Sequence, residues 1–233
     1  MRKQLGFNLI EIAIVLVIIG LMLGAALKGQ ELINAGKVRN LAVQLDGIKI
    51  AYFGFQDRFR AYPGDMTTPV ANALIPGSPG GCTGGTGCGD GKIGNDEIFV
   101  AWTHLSKSGF ITGAFNGLIT DTAANAAINP VNPYSGFLQL IHDDIYDDAS
   151  EPAQLIVLNI KTGGLVPPNV LAELDRKIDD GAPLTGSFRS AGNAARTTTF
   201  AGGISVAACN IAGAVTQWNG ASDLKNCAGV LIQ

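Results

Sequence analysis

One carboxylate, Glu11, sits near the start of the apolar stretch GFNLIEIAIVLVIIGLMLGAAL, residues 6–27. From Phe7 to Leu27 the stretch is about 31 Å long as a helix, against a hydrocarbon core of about 30 Å. A carboxylate at mid-membrane costs on the order of 2.5–3.5 kcal/mol, and less near an edge. Glu11 is therefore a functional candidate that requires a cation. The nearest one is the α-amino group that a cut just before Phe7 would create, and Gly6 offers a site for that cut. The chemistry is ion pairing inside an apolar medium.

Other groups carry weaker signals. Asp90, Asn95, Asp96 and Glu97 lie in GDGKIGNDE, and calcium favours such oxygen donors on a flexible glycine loop. The spacing departs from an EF-hand because Lys92 stands where a donor belongs. Turn residues followed by a helix N-terminus account for the segment without a metal. Asp143, Asp144, Asp147 and Asp148 follow His142 as an acidic knot, read as a solvated face or a partner-facing patch. His104 and His142 are the only histidines, and there is no G-x-S-x-G, P-loop or H-E-x-x-H. The reading is a non-enzyme with no cofactor.

Four cysteines, Cys82, Cys88, Cys209 and Cys227, allow three pairings. In an exported domain an even count favours disulfides. Cys82–Cys88 would close GGCTGGTGC and Cys209–Cys227 the C-terminal end. Separations of five and seventeen intervening residues are poor zinc patterns.

The first six residues, MRKQLG, carry Arg2 and Lys3. The apolar run after them is too long for an ordinary secretory signal and continues into LKGQEL rather than a small-residue cleavage site. A short basic leader, Gly6, then Phe7-Asn8-Leu9-Ile10-Glu11 and a long apolar helix resemble the N-terminus of prepilins, the precursors of type IV pilins and type II secretion pseudopilins. Asn8 departs from the commoner Thr or Ser. The resemblance implies cleavage between Gly6 and Phe7 by a prepilin peptidase, methylation of the Phe7 amine, and filament assembly through Glu11. The partners it implies are copies of itself or other pilins in a helical filament, the peptidase, an inner-membrane assembly platform and membrane lipid. A Cys209–Cys227 pair looks like the disulfide-bounded loop of type IV pilins. Leu174–Gly181, LDRKIDDG, resembles a segment before the terminal loop in a subset of pilin-like proteins.

The expected function is a structural subunit of a type IV pilus or related filament. The alternatives are a minor tip subunit acting in adhesion, DNA uptake or type II secretion, and a membrane-anchored periplasmic enzyme. Arg2 and Lys3 ahead of the span leave the leader cytoplasmic. The chain is thus expected to cross the inner membrane once with its C-terminal domain periplasmic, and to end in a periplasmic or cell-surface filament. Removing Arg2 and Lys3 leaves 14 basic against 19 acidic side chains, a net charge of −5. That is no nucleic-acid footprint.

The elements that must position these groups follow from periodicity. Leu41, Leu45, Ile48, Tyr52, Phe55 and Phe59 recur at helical steps and form one apolar stripe. A continuous helix is expected over residues 7–60, apolar all round through 7–27 and one-sided beyond Lys28, ended by Pro63-Gly64-Asp65. Gly20 and Gly24 have the GxxxG spacing of closely approaching membrane helices. Residues 1–6 are the leader, and 61–233 form a modest globular domain rich in loops, with 31 glycines in the whole chain. Residues 61–95 read as a loop, and Phe99, Trp102 and Leu105 as core contacts on a short helix with His104 beside them. Phe137–Ile145 fits either a helix or a strand. Gln154–Ile160, Gly203–Cys209, Ala214–Trp218 and Gly229–Ile232 read as strands, and Val170–Ile178 after Pro167-Pro168 as a helix ended by Gly181. Helix first and strands later, without βαβ alternation, predicts an α+β fold with the long helix on an antiparallel sheet, and the resemblance to prepilins implies that this is the pilin fold.

Overall fold

The computed structural model describes residues 9–82, 87–121, 123–147, 155–191, 209–213, 216–222 and 224–233. Helix α1 runs unbroken from Leu9 to Phe59. The chain divides into two compact units, Met1–Val38 and Arg39–Gln233, so α1 contributes to both. In the first unit every residue from Leu9 to Lys28 is exposed. Mean hydropathy reaches 2.7 over an 18-residue window, which makes α1 long and apolar enough to cross a membrane. A salt bridge between Lys28 and Glu31, 2.7 Å, marks the start of the polar part.

In the second unit α1 is one-sided. Leu41, Leu45, Ile48, Ala51, Tyr52 and Phe55 are buried, whereas Val43 and Ile50 on the opposite side are 63% and 72% exposed. The predicted stripe is thus the buried face, except that Phe59 at its end is only half-buried. The helix stops at Phe59 because Arg60 turns left-handed at φ 54°, its N–H still donating to Gln56 O at 2.9 Å.

Three short helices follow. α2, Thr68–Leu74, lies in the stretch expected to be loop; Pro69 in its first turn is compatible with helix there, and only Ala71 is buried. α3, Ile98–Lys107, is buried continuously from Ile98 to Leu105 and so includes Phe99, Trp102 and Leu105 as expected. α4 spans Pro168–Ile178.

The strands are β1 Gln139–Asp143, β2 Val157–Lys161, β3 Phe188–Ser190, β4 Asn210–Ile211, β5 Gln217–Trp218 and β6 Gly229–Ile232. The open choice for 137–145 resolves as strand β1. Of the expected strands at 203–209 and 214–218, residues 203–208 and 214–215 lie outside the described residues. β3 has no counterpart among the expected elements. The main sheet is antiparallel throughout in the order β1-β2-β6-β3, and β4 pairs separately with β5. One rung crosses the whole sheet: Leu140 opposite Ile160, Ile160 opposite Leu231, and Leu231 opposite Phe188. All four side chains are buried. On α1, Tyr52 meets the β1 residue His142 at a ring separation of 6.3 Å, and Phe55 meets Phe110 at 6.1 Å. The fold is therefore α+β, with the C-terminal half of α1 packed in the same unit as the antiparallel sheet.

The two faces of α1 differ in what they contribute to stability. Leu45→Ala, which empties a fully buried site, should lower the unfolding free energy by about 2–5 kcal/mol. Ile50→Ala, on the exposed face, should change it by no more than about 0.5 kcal/mol. Urea unfolding of the full chain in detergent, followed by circular dichroism, measures both.

Candidate functional site

Glu11 lies in the first described turn of α1, on an exposed surface made of Leu9, Ile10, Ile12, Ile14, Val15 and the apolar residues that follow. A continuous apolar surface of this extent is not stable against water and marks a membrane or protein contact. A carboxylate in the first helical turn is favoured by the helix dipole. Gly6 and Phe7, the expected cleavage and methylation positions, lie outside the described residues. Apart from the helix's own neighbouring backbone, nothing comes within 4 Å of where a Cβ would stand at Gly20 or Gly24, so both glycines present an open surface.

The calcium candidates are organised by a residue that sequence reading takes only as a helix terminator. The buried Asp65 carboxylate accepts the N–H groups of Gly89, of Asp90 at 3.3 Å and of Gly91 at 2.8 Å. Backbone donors thus converge on a carboxylate, the inverse of the carbonyl cradle that a cation needs. Asp90 accepts Lys92 N–H at 2.9 Å, and Glu97 accepts Gly94 N–H at 2.8 Å. Asn95 and Asp96 are exposed. Burial raises the Glu97 carboxyl to about 7, and the negative charges of Asp65, Asp90 and Asp96 push the same way. Asp65 is also raised, by burial, against the opposing effect of its N–H donors. No local signal marks Asp65, because α2 stands between it and its donors, which are 24 to 26 residues further along the chain.

Both histidines bond to backbone. His104 is fully buried: its Nδ1 accepts Gly64 N–H at 2.9 Å, so Nε2 carries the proton and donates to Pro79 O at 2.8 Å. Burial lowers its pKa to about 4, and the Lys107 charge acts in the same sense. His142 Nδ1 accepts Ile93 N–H at 2.8 Å while the His142 backbone N–H donates to Ile93 O at 2.9 Å. This exchange covers the β1 edge at that point. Burial lowers the His142 pKa as well.

Two residues of the acidic knot, Asp143 and Asp144, act on one buried ammonium, that of Lys161. Asp143 forms an ion pair with Lys161, whose side chain is fully buried, and also accepts from the Asn159 amide. Alternation along β2 places Asn159 and Lys161 on the sheet face opposite Ile160. Asp147 accepts from Asn210 at 3.2 Å, and Asp148 lies outside the described residues. Sequence reading does not single out Lys161, because a charged residue at a strand end normally reads as exposed.

Both expected disulfides are present, with Cα–Cα distances of 5.7 Å for Cys82–Cys88 and 5.8 Å for Cys209–Cys227. Cys227 also bridges to Val166, just before α4. In the LDRKIDDG segment, Asp175, Asp179 and Asp180 bring carboxylate oxygens within 4.8 Å of one another. All six oxygens are engaged by protein donors. Asp175 accepts Trp218 Nε1–H at 2.6 Å and Gly181 N–H at 3.1 Å. Asp179 accepts Asp180 N–H at 2.6 Å, Phe188 N–H at 2.7 Å, and both the N–H and hydroxyl of Ser187. Asp180 accepts Ala182 N–H at 3.0 Å and the Thr185 hydroxyl. The segment is a hub that ties the end of α4 to β3 and β5.

No family model, curated protein or solved structure matches this chain.

Two outcomes follow from the buried groups. Asp143→Ala removes the carboxylate paired with a buried ammonium and should cost about 3–5 kcal/mol, while the double replacement Asp143→Leu with Lys161→Met should recover most of that loss; thermal unfolding of the full chain compares them. The folded state holds His104 neutral below its ordinary range, so its contribution to stability is lost as pH falls from about 6.5 to about 4. Imidazole nitrogen NMR should show the Nε2–H tautomer unchanged from pH 8 to 5.

Proposed function

We propose that this chain is a structural subunit, a pilin or pilin-like protein, of a type IV pilus or related filament. The observation that carries the reading is one carboxylate, Glu11, five residues beyond Gly6 at the head of an exposed apolar helix. In this reading the precursor waits in the inner membrane with its C-terminal domain outside the cytoplasm. A peptidase cuts between Gly6 and Phe7, the Phe7 amine is methylated, and the helix joins a bundle of identical or related helices at the filament base. Lipid covers the apolar surface before assembly, and neighbouring subunits cover it afterwards.

Glu11 supplies selectivity to that transfer. Within the bundle its charge is neutralised by the Phe7 amine of a neighbour. Removing one member of a buried pair costs about 3–5 kcal/mol. At about 100° per residue, Gly20 and Gly24 lie roughly 180–220° around the helix from Glu11. The carboxylate and the small-residue face therefore address different neighbours, as a bundle of many helices requires. The two disulfides suit an oxidising compartment outside the cytoplasm.

Intact-mass analysis of the native protein tests the reading most directly. The expected mass lacks residues 1–6 and carries one added methyl group on Phe7. A native protein that retains the hexapeptide overturns the proposal. Gly6→Ala should accumulate as uncut precursor on a gel. Glu11→Ala should insert into the membrane normally but fail to enter filaments, seen as loss of the subunit from sheared surface material. Normal filament yield from Glu11→Ala would exclude the pairing mechanism.

A further inference from the structure

We propose that Lys161 and Asp143 form a self-modification site, in which the lysine amine condenses with the aspartate side-chain carboxyl, one water leaves, and an amide bond joins β1 to β2. The site stands independently of the filament reading.

The two reactants are already in contact. Lys161 Nζ donates to Asp143 Oδ2, and the side chains are 0% and 11% exposed. Asp143 stands opposite Val157 and Lys161 opposite Gln139, so the lysine chain runs along β2 past Asn159 to reach the carboxyl. All of these residues share one face of the sheet. On that face Ile141 lies opposite Asn159 and Val230 opposite Lys161, and both are buried. Val230 belongs to an apolar cluster with Tyr146, Ala191 and Ala228, against which Val157 and Ile232 pack. Reacting groups held together in this way behave as if at about 10⁵–10⁸ M.

The other carboxyl oxygen is held separately. Asp143 Oδ1 accepts Ile145 N–H at 3.2 Å and the Asn159 side-chain amide. The same Asn159 Nδ2 donates to Asp143 O at 2.9 Å, which keeps the nitrogen end of that amide turned toward Asp143. This asymmetry suits acyl transfer. One oxygen faces the nucleophile and can leave, while the other collects negative charge as Cγ becomes tetrahedral, in front of two N–H donors already in place.

The step balances within the pair. Burial lowers the Lys161 pKa, against the charges of Asp143 and Asp144. A first proton passes from Nζ to Oδ2 and leaves a neutral amine facing a neutral acid, the form that a dry site favours. The amine lone pair then attacks Cγ, and the electrons of the C=O bond move onto Oδ1. A second proton moves from Nζ to Oδ2, the Cγ–Oδ2 bond breaks, and water departs. The third ammonium proton stays on the amide nitrogen. Nothing is oxidised or reduced. The product carries no charge, so the cost of keeping an ion pair away from water disappears. The bond ties two strands that neither disulfide reaches.

Trypsin reads the bond directly, because the chain has no lysine or arginine between Lys107 and Lys161 and an acylated lysine is not cut. Full-length protein purified in detergent, then unfolded, reduced and digested, should yield residues 108–176 as one peptide that lacks one water. Lys161→Arg keeps a cation against Asp143 but has no amine to condense. It should be cut after position 161 and give residues 108–161 at full mass. Asn159→Leu removes one donor from Oδ1 and should slow condensation about 10²-fold, so freshly made protein is recovered largely uncondensed. A full-mass peptide of residues 108–161 from the unaltered folded protein overturns the proposal, whatever the variants do. So does a missing water that persists in Lys161→Arg. Condensation as fast in Asn159→Leu as in the unaltered chain overturns the part given to Asn159.

Discussion

The domain is built against one wall, the buried stripe of α1 from Leu41 to Phe55. Each such side chain contributes roughly 1.5–3 kcal/mol when fully removed from water. The rest of the domain is short of regular structure: apart from α1, no helix exceeds 11 residues and no strand exceeds 5 among the described residues. A chain of that kind closes no core by itself. It needs a long, stiff apolar surface to fold upon, and the helix supplies it. The buried α3 and the apolar rung Leu140–Ile160–Leu231–Phe188 complete the interior.

Carboxylates do in the loops what ladders do in sheets. Asp65 gathers the N–H groups of 89–91, and the Asp175–Asp179–Asp180 hub gathers those of Gly181, Ala182, Ser187 and Phe188. Each arrangement answers the requirement that backbone donors away from water find an acceptor. Glycine makes the close approach tolerable. A Cβ on Gly186 would stand 2.3 Å from Asp179 Oδ2, and its φ of 73° is one that other residues rarely adopt. Disulfides complete the work, each adding typically about 2–4 kcal/mol.

The long helix serves two environments with one backbone. From Leu9 to Leu27 it is exposed and, Glu11 apart, apolar on all sides, and from Arg39 onward it is apolar chiefly on the side facing the domain. In the proposed filament the first part is the assembly element and the second is the handle by which the domain is carried. Six glycines occur in this helix, and Gly54 is the one over which the Phe110 ring closes, 2.8 Å from where a Cβ would stand. That contact binds the 110–115 loop to α1.

Local, repeating signals are legible in the sequence: the 3.6-residue stripe of α1, the burial of Phe99, Trp102 and Leu105, the α4 start at Pro167-Pro168, the β6 strand and both cysteine pairs. Each depends on neighbours along the chain or on a short loop. Less legible are α2, whose seven residues carry no usable period, and β3, whose three residues are a strand only because β6 lies beside them. Asp65, Lys161 and Trp218 read as a terminator, a surface charge and a strand residue. Their roles come from partners 24 to 26, 18 and 43 residues away, at Gly89–Gly91, Asp143 and Asp175. Periodicity and turn chemistry determine which face of an element is apolar, because they act over one or two helical turns. Which buried polar group meets which is decided by tertiary structure alone, since only folding removes the water that would otherwise satisfy each of them separately.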